Sequence, residues 1–369
     1  MGEARERILA RARSAADRYV ALHPPRRLGW GWEAGVFLHA LCELRRADPI
    51  ASARYGGYVR DYHARWARRG APPIDQSDRC APALSALALA QGDGDGVGLA
   101  AASAVARYLK GAPREACGAL NHTGHSWLSA LYPRSIWVDS LMMYGVFAAR
   151  WGAWAGDPAL VDFAARQVGA FAAKLQDART GLFRHAWLTR LGRAVPAAEA
   201  YWLRGNGWVL AAGAQIAAAL PAGHPEAPAI VAALRRLAGG LVRYQRPDGQ
   251  WETILNEPGR SYPEASGTAL VACGLGRGVA DGWLEPALLA PAARAYEGLR
   301  ARLVETPSGL CLLGVSGPTN ALPKFTYRLV PTRRDLGYGV GAYLLASVAL
   351  ADAGAAAAPG SGAPGPRSP

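Results

Sequence analysis

Apolar positions recur along this chain at helical spacing, and Gly- and Pro-rich breaks punctuate them with few strand-like alternations between. The pattern predicts twelve helices, over 3–22, 33–46, 50–68, 78–91, 97–110, 136–150, 157–175, 204–219, 225–243, 264–277, 285–303 and 338–352. Twelve helices in sequence suggest six hairpins. The even-numbered helices are small and apolar on nearly every face, as in "APALSALALA", "GWVLAAGAQIAAAL" and "GVGAYLLASVALA". The odd-numbered ones carry arginines along one face, as in "ASARYGGYVRDYHARWARR". Helices apolar all round belong inside and amphipathic ones outside. The expected fold is therefore all-α, an (α/α)6 barrel of six inner and six outer helices. It is expected as one domain over 1–352, with a disordered Ala/Gly/Pro-rich tail over 353–369. A helical solenoid is the alternative, but the spacing is uneven and no short fixed repeat occurs.

Loops leading into the even helices are long and rich in Trp, Tyr, His and Gly, for example "HPPRRLGWGWE" and "NHTGHSWLSALYPRSIWVD". In such a barrel all inner helices start at one end, so these loops crowd one face. The first turns of the even helices hold Trp32 with Glu33, Asp75 with Asp78, Asp139, Arg204 with Asn206, Glu264 with Ser266, and Asp335. Helix capping accounts for some of them, and Asp78 and Asp335 are well placed for it. Glu264 and Ser266 fit capping and ligand contact equally. Asp139 is different: it stands inside "RSIWVDSLMMYGVF", apolar on every side, and Ile136, Trp137 and Val138 already fit the helix. A buried carboxylate there is costly unless it is paired, hydrogen-bonded or used.

Composition narrows the partners. The formal charge is +13, yet only three of the 41 basic residues are lysines, and the arginines are scattered. Scatter without a basic stripe argues against nucleic acid, whereas arginine suits an anionic small ligand. The five cysteines form no CxxC pair, the N-terminus lacks the apolar stretch of a signal peptide, and no run of 18 apolar residues occurs. A cytoplasmic protein without membrane contact, monomeric or homodimeric, is the expectation. His122 and His125 lack further ligands at metal spacing, and "GDGDGVG" lacks the strand and GK[ST] of a phosphate loop. Trp32 and Trp137 near the proposed mouth offer flat apolar faces on which sugar rings stack, with Asn, Asp, Arg and His beside them for hydroxyls.

With these residues in view, the chain resembles glycoside hydrolase family 105, the unsaturated rhamnogalacturonyl hydrolases, and the related family 88, the unsaturated glucuronyl hydrolases. The resemblance rests on "YPRSIWVDSLMMYGVFAARWG", "TGLFRHAW", "YWLRGNGWVLAAG", "GQWETILNEPGRSYPEASGTALVACGL" and "RDLGYGVGAYLLA", in the family's order across about 74–348. It implies an (α/α)6 barrel and a catalytic aspartate in the W-x-D motif, Asp139. It implies a second acid in "IDQSDRC", where Asp78 aligns best and Asp75 competes. It also places His185, Trp202, Arg204, Asn206 and Trp208 around the sugar, with Glu264 and Ser266 nearby. Ser140 and the segment "GVSGPTNALPKFTYR" depart from the family's pattern, and the second departure bears on the substrate.

The activity implied is removal of a 4,5-unsaturated uronic acid from the non-reducing end of oligosaccharides left by polysaccharide lyases, with no cofactor or metal. Protonation of the vinyl ether at C4 and addition of water at C5 give a hemiketal that opens and releases the aglycone. Asp139 is expected as the proton donor, its pKa raised because desolvation outweighs the helix N-terminus. Asp78 is expected to hold water or a hydroxyl and, by its like charge, to keep Asp139 protonated. Arg204 is expected on the uronate carboxylate or, equally, on a core acid. The competing readings are a non-catalytic carbohydrate-binding barrel and a sugar epimerase or lyase on the same fold.

Overall fold

The computed structural model describes residues 2–356. All twelve expected helices are present: α1 (Gly2–Leu22), α2 (Trp32–Ala47), α3 (Arg54–Arg69), α4 (Ala83–Asp93), α5 (Gly96–Gly111), α6 (Val146–Ala155), α7 (Pro158–Leu175), α8 (Leu203–Ala219), α9 (Ala227–Val242), α10 (Ala265–Ala280), α11 (Leu289–Arg300) and the last, α13 (Gly337–Ala356). The extra element is a five-residue helix, α12 (Phe325–Leu329). Helices α2, α4, α6, α8, α10 and α13 each pack on the next, and α13 returns to α2, closing an inner ring. Helices α1, α3, α5, α7, α9 and α11 lie outside it.

Burial follows the patterning. Helix α8 is buried without a break from Leu203 to Ile216, whereas α1 buries only Leu9, Ala12, Ala15, Ala16 and Tyr19, one stripe at helical spacing. Close approach of α8 and α10 depends on small residues. A Cβ on Gly207 would sit 2.7 Å from Leu270 Cβ, and one on Gly274 would sit 2.5 Å from Leu210 Cγ.

Three expectations need correction. Helix α6 does not begin at 136. Ser135–Trp137 forms a strand, β1, antiparallel to β2 (Ala186–Leu188), which in turn pairs with β3 (Arg193–Val195). A five-residue π-helical turn, Leu141–Gly145, then leads into α6. An all-apolar run carries no period that separates strand from buried helix, and Ile and Trp suit either. Helix α4 starts at Ala83, which leaves Asp78 in a separate turn, Ser77–Arg79. Asp335 caps nothing: one oxygen accepts from Leu312 N at 3.0 Å and the other from Arg18 Nε at 2.8 Å, tying α1 to the strand β5 (Gly309–Leu312), which pairs with β4 (Leu303–Thr306). Of the expected tail, residues 353–356 complete α13, and the rest lies outside the described residues.

A lid crosses the mouth. Strands β6 (Val315–Ser316) and β7 (Thr332–Arg333) pair at its root, and the segment between them carries α12. Among the described residues no helix is long and apolar enough to cross a membrane.

Candidate active site

Two loops and a strand end bring Asp78 and Asp139 together. Asp78 sits in the turn whose Ser77 amide donates to His122 O at 3.0 Å. Asp139 follows β1, and its carbonyl accepts from Met142 N at 2.9 Å and Met143 N at 3.1 Å, so its backbone opens the π-helical turn and its side chain is left for other use. Antiparallel pairing continues one step beyond β1, with Val138 N on His185 O at 3.1 Å. That register delivers His185, whose Nε2 lies 3.2 Å from Asp139 Oδ2. The two atoms are buried and off line for a hydrogen bond. On the other side His122 Nε2 lies 3.6 Å from Asp78 Oδ1, and its Nδ1 bonds Ser140 Oγ at 2.9 Å.

The two carboxyls are electrostatically unequal. Burial, the neighbouring Asp139 charge and Glu33 push Asp78 up to about 7. Burial also works to raise Asp139, but His185 and His122 outweigh it and hold the carboxyl below its ordinary value. The expectation that Asp139 carries the proton is thereby reversed: desolvation loses because the strand register sets an imidazole against the carboxylate. Burial drives His122 down to about 4, so it is neutral at pH 7.

Flat groups pack on one another in a continuous series beside the two acids. Trp32 packs on Tyr338 at 4.5 Å, the Arg204 guanidinium lies between Tyr338 (5.0 Å) and Trp202 (4.8 Å), and Trp202 packs on His185 at 4.3 Å. His185 then meets Trp137 edge-on at 5.3 Å, and Trp137 stacks on His122 at 4.3 Å. Beyond Trp32 opens a cavity of about 480 Å³ lined by His23, Arg27, Trp30, Trp32 and Glu33 among others.

Several residues expected around the sugar make hydrogen bonds within the protein. Arg204, 1% exposed, donates to Ser316 O (2.9 Å), Gly317 O (2.8 Å) and Thr319 Oγ1 (3.0 Å) and so clamps the root of the lid. It meets neither a core acid nor open space. Asn206 is fully used, accepting from Phe183 N and donating to Phe183 O and Trp202 O. Glu264 caps α10 through Ser266 N and Gly267 N and also accepts from Ser316 N, while Ser266 Oγ donates to it at 2.7 Å. Trp208 is core, 1% exposed. These polar groups bond chiefly to protein, while Arg204 Nε is left without a partner. Asp75 pairs with Arg79 at 3.1 Å, so Asp78 is the acid beside Asp139.

Sequence reading missed two participants. His122 was weighed only as a metal ligand, although no group of three His, Cys, Asp or Glu is arranged for a metal among the described residues. Tyr327, whose Oη lies 2.7 Å from His185 Nδ1, is 142 positions away along the chain and gives no local signal.

A closed ring of six helical hairpins, with two unequal carboxyls at one end among aromatic rings, defines the protein as an (α/α)6 barrel with an acid–base site. The chain belongs to Glycosyl Hydrolase Family 88, whose profile matches residues 6–353. It is 29% identical over 263 residues (71% of this chain, 74% of the relative) to the unsaturated rhamnogalacturonyl hydrolase YesR of Bacillus subtilis. A possible member of family GH105 from Salmonella enterica superposes with a TM-score of 0.78 at 25% identity, over 88% of this chain and 83% of that one. A family 105 glycoside hydrolase from C. acetobutylicum superposes with a TM-score of 0.80 at 23% identity, over 92% and 98%.

Proposed function

We propose that the protein removes a 4,5-unsaturated uronic acid from the non-reducing end of lyase-generated oligosaccharides by hydrating its vinyl ether. The observation that carries this reading is the pair of carboxyls set against imidazoles, Asp78 3.6 Å from His122 and Asp139 3.2 Å from His185, because hydration needs a proton given to carbon and one taken from water; the raised Asp78 and lowered Asp139 suit them to the two roles. Asp78 donates its proton to C4, and the double-bond electrons form that C–H bond. The cation left at C5 is shared with the ring oxygen. Water adds to C5 while Asp139 takes its proton, giving a hemiketal. The hemiketal opens to a C5 ketone and a C1 hemiacetal, which releases the leaving sugar as an alcohol. The sum is one water consumed, and the proton on Asp139 returns through solvent to Asp78. Positioned acid–base groups contribute about 10²–10⁴-fold.

His185 and His122 flank the two acids, and the partly exposed Trp32 offers a stacking face. The family membership and the unsaturated rhamnogalacturonyl activity named for the Bacillus relative support the same chemistry. We place the reaction in the cytoplasm, a reducing compartment that suits five unpaired cysteines. The test is a turnover assay on unsaturated disaccharides from pectin and glycosaminoglycan digestion. Loss of the conjugated chromophore with at least one of them is expected, and no turnover of any member would overturn the reading.

A further inference from the structure

We infer that Tyr327, carried on the lid, is a positioning residue that fixes the tautomer of His185 and through it keeps Asp139 a carboxylate. The inference rests on the reading of Asp139 as the base of the reaction. It starts from one line of contacts: Tyr327 Oη to His185 Nδ1 at 2.7 Å, and His185 Nε2 to Asp139 Oδ2 at 3.2 Å. Tyr327 and His185 are each 1% exposed, so no water competes for the imidazole.

A neutral imidazole has one N–H and one lone pair, and what the first nitrogen meets decides what the second can do. Burial holds the Tyr327 phenol well above its ordinary value, so it keeps its proton, and the Leu322 amide faces the same oxygen as a donor. The phenol therefore offers its own hydrogen to Nδ1. That leaves the hydrogen of His185 on Nε2, the nitrogen 3.2 Å from Asp139 Oδ2. The opposite tautomer would put the Nε2 lone pair against a carboxylate and leave the phenol hydrogen without an acceptor. Other ionisable groups frame the pair. His122 and Asp78 face Asp139 from the turns before β1 and α4, and Arg184 lies near Tyr327.

Tyr327 is held in place by its surroundings and not by its own bond alone. Arg204 ties Gly317 O and Thr319 Oγ1 at the root of the lid, and Tyr132 Oη donates to Ala321 O at 2.6 Å. Glu257 receives Lys324 Nζ at 2.6 Å and also Arg328, on either side of Tyr327. Seating of the lid is thus coupled to the protonation state of the base: only with α12 docked does a phenol reach His185.

Tyr327→Phe removes the hydroxyl and keeps the ring. In the variant the acidic limb of the kcat/KM profile, which reports protonation of Asp139, should move up by about one pH unit. The fall in kcat at the optimum should be on the order of tenfold with KM nearly unchanged. Adding Tyr327→Phe to His185→Asn should cost nothing further, since the hydroxyl acts only through the imidazole. A nitrogen-15 spectrum of His185 checks the tautomer without any substrate: Nε2–H should dominate in the parent and lose that dominance in Tyr327→Phe. An unchanged acidic limb, or an Nδ1–H tautomer in the parent, overturns the inference. A parent inactive on every unsaturated disaccharide would instead sink the reading of the reaction, while the spectrum would still decide the tautomer.

Discussion

Asp78 and Asp139 share a mouth, yet their neighbours give them different charges. Asp78 faces two other carboxyls, Asp139 and Glu33, and gains stability by staying protonated. Asp139 faces two imidazoles. Activity that needs a protonated Asp78 should fall as pH rises through about 7, so kcat/KM should show an alkaline limb there. Asp78→Asn should abolish that limb along with most of the rate. The same group shapes stability. Its folded pKa is raised above the unfolded value, so the folded chain binds more protons between them and stability falls as pH rises from about 4 to about 7. Asp78→Asn should therefore raise the melting temperature more at pH 8 than at pH 4, and equal shifts at both would contradict the assignment. Asp139 stands out in the sequence, whereas Asp75 and Asp78 compete there for the place that folding gives Asp78 beside it. Their protonation is not legible there, because it depends on burial and on neighbours that folding supplies: Asp139 and Glu33 for Asp78, His185 and His122, 46 and 17 positions away, for Asp139.

Elements decide which polar residues are free to act. Arg204, Asn206, Glu264 and Ser266 stand at inner-helix starts as the sequence suggested, but each is spent on joining loops to the ring. First-turn position shows that a residue lies near the mouth; only the bonding around it shows whether a ligand can use it. Strand β1 was hidden for a related reason, since its pairing partner β2 lies about 50 residues downstream and the run itself is apolar throughout. Similarly, α12 is too short to leave a period. Its seat depends on Glu257, whose carboxyl is held below its ordinary value against burial by Arg328 and Lys324. Glu257→Gln should loosen α12 and lower kcat several-fold through Tyr327, with a change in melting temperature of no more than a few degrees. Loss of overall stability in place of rate would assign Glu257 to the scaffold instead.

At the scale of the whole molecule, patterning alone gave the ring: apolar helices inside, amphipathic ones outside, loops gathered on one face. What holds the other end of the ring could not be read from it. There Glu43 of α2 accepts from Arg150 of α6 at 2.7 Å and Arg277 of α10 at 2.9 Å, and Arg150 reaches Gln215 of α8 at 2.9 Å, so four inner helices converge on one buried carboxylate. Burial opposes its ionisation, but Arg150 and Arg277 more than offset that and hold it well below its ordinary value. Such a group stabilises above its unfolded pKa, and the contribution is lost as pH falls through the folded one. Glu43→Gln leaves buried guanidinium groups without their anion and should cost about 3–5 kcal/mol, seen as a lower melting temperature at pH 7 that converges on the parent in acid. KM of the protein that remains folded should not change, because the cluster sits at the end away from the mouth.

The central claim is that Asp139 and Asp78 hydrate an unsaturated uronate at that mouth, and Asp139→Asn tests it most directly. The variant keeps the shape of the side chain and removes the base beside His185. Followed on the disaccharide that the parent turns over fastest, with circular dichroism matched between the two proteins, its loss of chromophore absorbance should slow by at least about 10³-fold. Decay at the parent's rate in a folded Asp139→Asn protein would contradict the account.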